Sequence, residues 1–479
     1  MTIRKPTRKL GRANPLLRTP RNLDLKTTTS HVEGPLPSDN ARRWSWVDAA
    51  LALALVAITL WRLLPAVTET RFHRDEARWL NGAQLLRAWG NPFGERWQDE
   101  GYDDTYGTVD ERNRRRAQPP LAMYVLGLGM LVQTGELPNN GYWIMTMNGR
   151  ENRALGNTPA LDHLRAARRT SAVIAALTVV GLYAIGTLLT NRVGGVVTGL
   201  AYALHPLVRD TASRAWSDPL LGLCIVLGAL AGYRLVERAT WGRAVIFGAL
   251  LGLGGATKLS PLAIALAAGI IGALILSWQL FRHGRASEST HRLGFGLLIA
   301  PAVAFLTFVA VYPYLWTDPI GHTARMFEFR SESFEMQAQN IPAARVEDRA
   351  DALRRIGAEL GEAFSLGGLV AEHFPGDDPS WLRNVDLALA TVGWLLLAAF
   401  ALPRGPAGAR TLMAAVILLQ AGAVVAAMGV EYPRYMLPVV IAVAVGIGGG
   451  AGCVTEAVLG RAVGRPDRLR GSLTGEAPS

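Results

Sequence analysis

Two adjacent carboxylates with cations on both sides stand in Arg71-Phe72-His73-Arg74-Asp75-Glu76-Ala77-Arg78-Trp79, shortly beyond the first long apolar run of the chain. A hydroxyl is a poor nucleophile near neutral pH and needs a general base, which an ionised carboxylate supplies. A departing phosphate carries its own charge, so it needs cations around it and no acid to protonate it. Asp75 and Glu76 with nearby cations therefore suit transfer of a group from an anionic, phosphate-linked donor to a hydroxyl or amine. Glycoside hydrolysis is a different case, because it needs two carboxylates flanking the scissile bond. A purely structural role competes for Asp75, as a helix cap or as a partner for Arg74 or Arg78.

Other ionisable residues sit at the ends of apolar runs. They are His205, Arg209, Asp210, Arg214 and Asp218; then Lys258; then Asp318 after an aromatic stretch; then Glu431 and Arg434 in Glu431-Tyr432-Pro433-Arg434-Tyr435. Charges at such depths are costly and are functional candidates, although some cations only snorkel to the interface. Arg434 offers forked donors that match phosphate oxygens, and Lys258 offers a point charge. Asp218 stands before Pro219 and also suits a helix start. The segment 321–339 mixes aromatic and charged residues and predicts an amphipathic helix over the site, with Arg325 and Arg330 facing donor or acceptor. His73 and His322 have no metal-ligand spacing; carboxylates alone could hold a divalent metal, but nothing in the sequence demands one, and no cofactor is expected.

These residues need a scaffold, and the chain of 479 residues, 50% of them hydrophobic, supplies one. Its apolar residues fall in runs long enough to cross hydrocarbon as helix. The runs predict an all-α polytopic bundle of about ten spans, at 46–66, 170–190, 194–209, 218–236, 242–257, 259–279, 293–312, 384–402, 410–429 and 434–458. The stretch 119–132 is too short to span and is expected to lie in the interface. That choice puts Arg234, Arg238, Arg243, Arg282, Arg285, Arg292, Arg404 and Arg410 in short cytoplasmic loops, as the positive-inside rule requires. Residues 1–45 read as a disordered basic cytoplasmic tail, 46–459 as the transmembrane domain and 460–479 as a second cytoplasmic tail. Long loops at 67–169 and 313–383 then lie outside, and every outward turn brings charge to one layer. The net charge of +11 is the topology signal of a bilayer protein rather than the footprint of a nucleic-acid partner. Cys224 and Cys453 lie in apolar runs and predict no disulfide framework.

Several of these motifs together resemble the GT-C glycosyltransferases of family 39, which include protein O-mannosyltransferases and lipid A aminoarabinose transferases. The Asp75-Glu76 pair after the first span matches first. Gln118-Pro119-Pro120-Leu121, Arg168-Arg169-Thr170-Ser171-Ala172, His205-Pro206 through Ser217-Asp218-Pro219, Ala256-Thr257-Lys258 and Pro433-Arg434-Tyr435 follow in the family's order. The likeness covers residues 46–440. It implies an inverting transfer of a sugar from a polyprenyl-phosphate donor at the outer leaflet of the cell membrane. Asp75 would be the general base, and Glu76 would orient the site or contact the acceptor. Arg74, Lys258, Arg434 and Tyr435 would hold the donor phosphate, with Arg78, Gln118 and Asp218 serving acceptor or support. Gln118 departs from the pattern, which has an ionisable residue there. The inserts at 99–116 and 135–164 are not assigned by the resemblance. The acceptor stays open among protein, lipid and glycan. The competing classes are a secondary transporter or lipid flippase, which would carry its charges near the bilayer midplane, and a scaffold in which neither carboxylate matters.

Overall fold

The computed structural model describes residues 44–98, 118–283, 288–362, 365, 383–403 and 407–462. The expected basic tail, the charged runs of 99–116, Arg285 and Arg404 lie outside the described residues. In chain order the helices used below are α1 (Trp46–Glu69), α2 (Arg74–Ala83), α3 (Leu121–Thr134), α4 (Leu161–Leu189), α5 (Arg192–Leu204), α6 (Pro206–Ala212), α7 (Asp218–Glu237), α8 (Trp241–Gly255), α9 (Ser260–His283), α10 (Glu288–Val311), α11 (Pro319–Asn340), α12 (Arg349–Glu362), α13 (Val385–Leu396), α14 (Ala407–Ala427) and α15 (Leu437–Ala462). Among the described residues the only β pairing is an isolated bridge between Arg345 and Val430.

Helices α1, α4, α7, α9, α10, α14 and α15 each hold a stretch long and apolar enough to cross a membrane. Shorter apolar helices are α3, α5, α8 and α13, the last continued by the π-helical turn Leu397–Ala401. Each of the runs read as spans is therefore helical over most of its length. The fold is an all-α polytopic bundle, and α3, at 14 residues, is short of a span. One expected span is corrected. The run 194–209 breaks at His205, which is extended (φ −67°, ψ 131°) because Pro206 disfavours the helical conformation in the residue before it. Pro206 then starts α6 at a position where its missing N–H costs nothing.

Burial separates inner from outer helices. The apolar windows of α4, α7 and α15 are 72% buried, against 33% for α1, α9, α10 and α14. The first group forms the centre, and the second presents apolar side chains outward, as lipid-facing helices do. In hydrocarbon the hydrophobic effect does not draw helices together, so close approach through small residues does much of the work. A Cβ added at Gly448 on α15 would strike Thr198 Oγ1 and the Gly194 carbonyl of α5. One added at Gly393 on α13 would strike the Gly446 carbonyl of α15. Gly448→Leu is accordingly expected to cost about 1–3 kcal/mol or more through overpacking. The check is the thermal midpoint of the purified chain in detergent, where equal midpoints would contradict this packing account.

Two polar ties mark opposite ends of the bundle. At one, Asp48 in the first turn of α1 is 4% exposed and accepts hydrogen bonds from Arg192 Nε (2.8 Å), Arg192 Nη2 (2.9 Å) and the Tyr183 hydroxyl (2.8 Å). At the other lie the C-terminal ends of α1 and α8 and the N-terminal ends of α4, α7, α9 and α15. Helix α3 joins this end. Its Leu121 N–H donates to the Ala256 carbonyl (2.9 Å) that closes α8. Its Gly127 and Gly129 let it pack closely on Ala83 of α2 and on Thr170 of α4.

Candidate active site

The local sequence sets the two carboxylates facing different ways. His73 is extended and caps α2, its Nδ1 accepting from the Asp75 N–H (3.1 Å), while Glu76 reaches back to accept from the His73 N–H (2.9 Å). This reciprocal capping box fixes Glu76 inward. Its Oε1 accepts from Arg168 Nε (2.7 Å) and the Ala215 N–H (3.0 Å), and its Oε2 also accepts from Arg168 Nη2 (2.7 Å). Glu76 is 0% exposed and Arg168 3%. Arg168 also donates to the carbonyls of Val67 (2.9 Å) and Thr70 (2.8 Å) at the end of α1, where helix carbonyls lack intrahelical partners, and to that of Arg71 (3.3 Å), which Arg214 Nη1 also reaches (3.0 Å). Glu76 and Arg168 thus join α1, α2, α4 and the turn before α7. With four donors on its two oxygens, Glu76 is committed to groups of the protein itself.

Asp75 faces the other way, into a cluster of cations. Its Oδ2 accepts from Arg434 Nη1 at 2.6 Å. The Arg434 guanidinium lies over the rings of Trp216 (4.8 Å), Tyr435 (5.3 Å) and Tyr432 (5.6 Å). Lys258 Nζ pairs with Asp218 Oδ1 at 2.6 Å and sits 4.6 Å from the Tyr435 ring centre. From α11, Arg330 Nη2 donates to the Tyr435 hydroxyl (3.1 Å). Three cations from separate elements therefore meet around Tyr435, with two carboxylates opposite them. Burial pushes the Asp75 carboxyl up, but the charges of Arg434, His73 and Arg78 outweigh it and hold the group below its ordinary value. His73 is itself pushed below its ordinary value, mainly by burial.

The elements behind this cluster are tied down. Asp318 caps α11 by accepting from the Gly321 N–H (2.9 Å), with Pro319 at the first helical position. Beyond α11, the Val346 N–H donates to the Gly429 carbonyl (3.1 Å) and the Glu431 N–H to the Ala344 carbonyl (2.8 Å). Arg355 on α12 spans Asp351 (2.9 Å) and Glu431 (2.6 Å). The strand-like stretch that leads into Arg434 is thereby clipped to the long loop on its far side.

Of the residues singled out from sequence, Asp75, Asp218, Lys258, Arg434 and Tyr435 come together, and Arg330 joins them. Arg78 lies over the Tyr142 ring (4.7 Å), beside the cluster. Arg74 is exposed and Gln118 half-buried, and neither hydrogen-bonds to the cluster among the described residues. Two participants are not legible as such in the sequence. Arg168 appears there only as a motif at a span start. Trp216, 6% exposed, carries Arg434 on its ring, Arg214 at 5.1 Å and His73 edge-on at 5.3 Å.

Residues 160–307 match the family model described as dolichyl-phosphate-mannose-protein mannosyltransferase. The matched stretch runs from the start of α4 into α10 and contains Arg168, Trp216, Asp218 and Lys258. It supports the likeness to GT-C glycosyltransferases of the O-mannosyltransferase type. The chain also shows similarity to solved structures. One is the Pmt1-Pmt2 protein O-mannosyltransferase complex of S. cerevisiae bound to its sugar donor (15% identity, TM-score 0.39, 57% of this chain and 34% of that one). A second is ArnT of Cupriavidus metallidurans bound to undecaprenyl phosphate (17%, 0.47, 87% and 62%). A third is the oligosaccharyltransferase of Archaeoglobus fulgidus in the apo form (12%, 0.48, 91% and 53%). The chain thus spans less than two thirds of the length of each, and no residue role passes from them to this chain at such similarity. No curated protein matches the sequence.

Proposed function

We propose that this chain is an inverting glycosyltransferase that moves a sugar from a polyprenyl-phosphate donor to an acceptor hydroxyl at the outer face of the membrane. The observation that carries this reading is a partly buried carboxylate, Asp75, paired with Arg434, which meets Lys258 and Arg330 around one tyrosine. In the step proposed, the acceptor oxygen attacks the anomeric carbon and its proton passes to the Asp75 carboxylate. The bond from that carbon to the phosphate oxygen breaks, and polyprenyl phosphate leaves as a monoester held by the cations. Inversion follows from a single displacement. The outer location rests on the positive-inside argument, and the family-model match supports the sugar-transfer class.

The test is to supply the purified chain with a panel of labelled polyprenyl-phosphate sugars and membrane extract. A covalent labelled product supports the reading and names sugar and acceptor. Label that stays on the lipid for every sugar, or flux across vesicles without a covalent product, overturns it. Lys258→Met removes one charge-assisted contact to the phosphate, so KM for the donor is expected to rise roughly 10- to 100-fold. An unchanged KM would take Lys258 out of the donor site.

A further inference from the structure

We propose that the donor's phosphate unmasks the base: on entering, it takes Arg434 from Asp75 and Lys258 from Asp218. This rests on the donor reading above. Without a ligand, both cations are already committed to carboxylates at 2.6 Å, the short distances of charge-assisted bonds. The same two cations are those placed to meet a phosphate. They cannot serve both sets of oxygens fully, so binding has to be an exchange.

The surroundings favour exchange over removal. Trp216, Tyr432 and Tyr435 hold Arg434 through its cationic charge, which leaves the N–H edges of the guanidinium free to change acceptors. Lys258 rests on Tyr435 in the same way. Neither cation needs to leave its aromatic seat to turn from carboxylate to phosphate. Glu76 takes no part, because Arg168, Ala215 and His73 occupy it.

The exchange also solves a chemical problem. A carboxylate paired with a guanidinium has little affinity for a proton and is a poor base. The groups facing Asp75 are Arg434, His73 and Arg78, with the Tyr432 phenol nearby. Loss of Arg434 to phosphate leaves burial as the leading influence, and burial raises proton affinity. Charge is conserved through the cycle. Lys258, Arg330 and Arg434 against Asp75 and Asp218 leave one positive charge in excess, and a phosphodiester donor cancels it. After transfer the phosphate monoester carries one more negative charge, while Asp75 has gained the acceptor's proton, so the cluster stays neutral.

The test is binding of polyprenyl phosphate to the purified full chain in detergent, for the wild type, Asp75→Asn and Asp218→Asn. Polyprenol and inorganic phosphate serve as comparison ligands. Each Asn variant keeps the shape of the side chain and no longer competes for its cation. Each is expected to bind polyprenyl phosphate roughly tenfold more tightly than wild type, with polyprenol affinity unchanged. A matching gain for inorganic phosphate supports the exchange and assigns it to the phosphate alone. Unchanged or weaker lipid binding in both variants, with wild-type binding intact, overturns the exchange and leaves the donor reading standing. No binding of polyprenyl phosphate by the wild type overturns both.

Discussion

Asp75→Asn is expected to reduce turnover by about 10²- to 10⁴-fold, the usual contribution of a positioned general base. The amide keeps the shape of the side chain and its place at the second position of α2, but it cannot accept the acceptor's proton. The capping box is untouched, because it uses His73, Glu76 and the Asp75 backbone rather than the Asp75 carboxylate. The variant should therefore fold and keep its thermal midpoint. It should also bind the donor at least as tightly as the wild type, so the loss appears in kcat and not as a raised KM. Steady-state rates at saturating donor check this. A variant with wild-type kcat would remove Asp75 from the chemistry and return it to the role of a helix-start partner for Arg434.

The second large effect is on stability. Glu76→Gln or Arg168→Leu breaks a buried pair whose members are 0% and 3% exposed. Removing one member strands the other charge away from water, at a cost of about 3–5 kcal/mol. Arg168→Leu adds a further cost, since the carbonyls of Val67 and Thr70 lose their donor. The expected outcome is a markedly lower thermal midpoint in detergent, or failure to recover monodisperse protein. Glu76→Gln is the milder change, because the amide oxygen still accepts from one of the two backbone donors, Ala215 or His73, which point at different oxygens of the carboxylate. If Glu76→Gln instead keeps the full midpoint and loses only turnover, then Glu76 acts on the acceptor and the structural role assigned to it is wrong.

The contrast between these carboxylates shows what a sequence can and cannot disclose. Asp75 and Glu76 are neighbours of nearly equal chemistry, and their sequence leaves Glu76 between orienting and contacting the acceptor. The difference lies in a capping box that turns one side chain inward, and in Arg168, 92 residues away along the chain. No local pattern encodes that partner. The helices themselves were legible because an apolar run of spanning length would be insoluble as anything but a membrane helix. The layer of charge was legible because alternate spans return to the same side. Arg330 was legible from the amphipathic spacing of 321–339. The break at His205-Pro206 carried a clear signal in its proline, but the continuous apolar run around it masked the turn. Trp216 was not legible, since its role depends on Arg434, which arrives from the far end of the chain.

The most direct test is a single-turnover measurement. Purified wild-type chain and Asp75→Asn are loaded with a labelled polyprenyl-phosphate sugar that the wild type turns over. Acceptor is then added, and label leaving the lipid is followed in time. The account predicts transfer in the wild type, and in Asp75→Asn a bound donor that keeps its label at least roughly a hundredfold longer. Equal rates of transfer from the two proteins would contradict it.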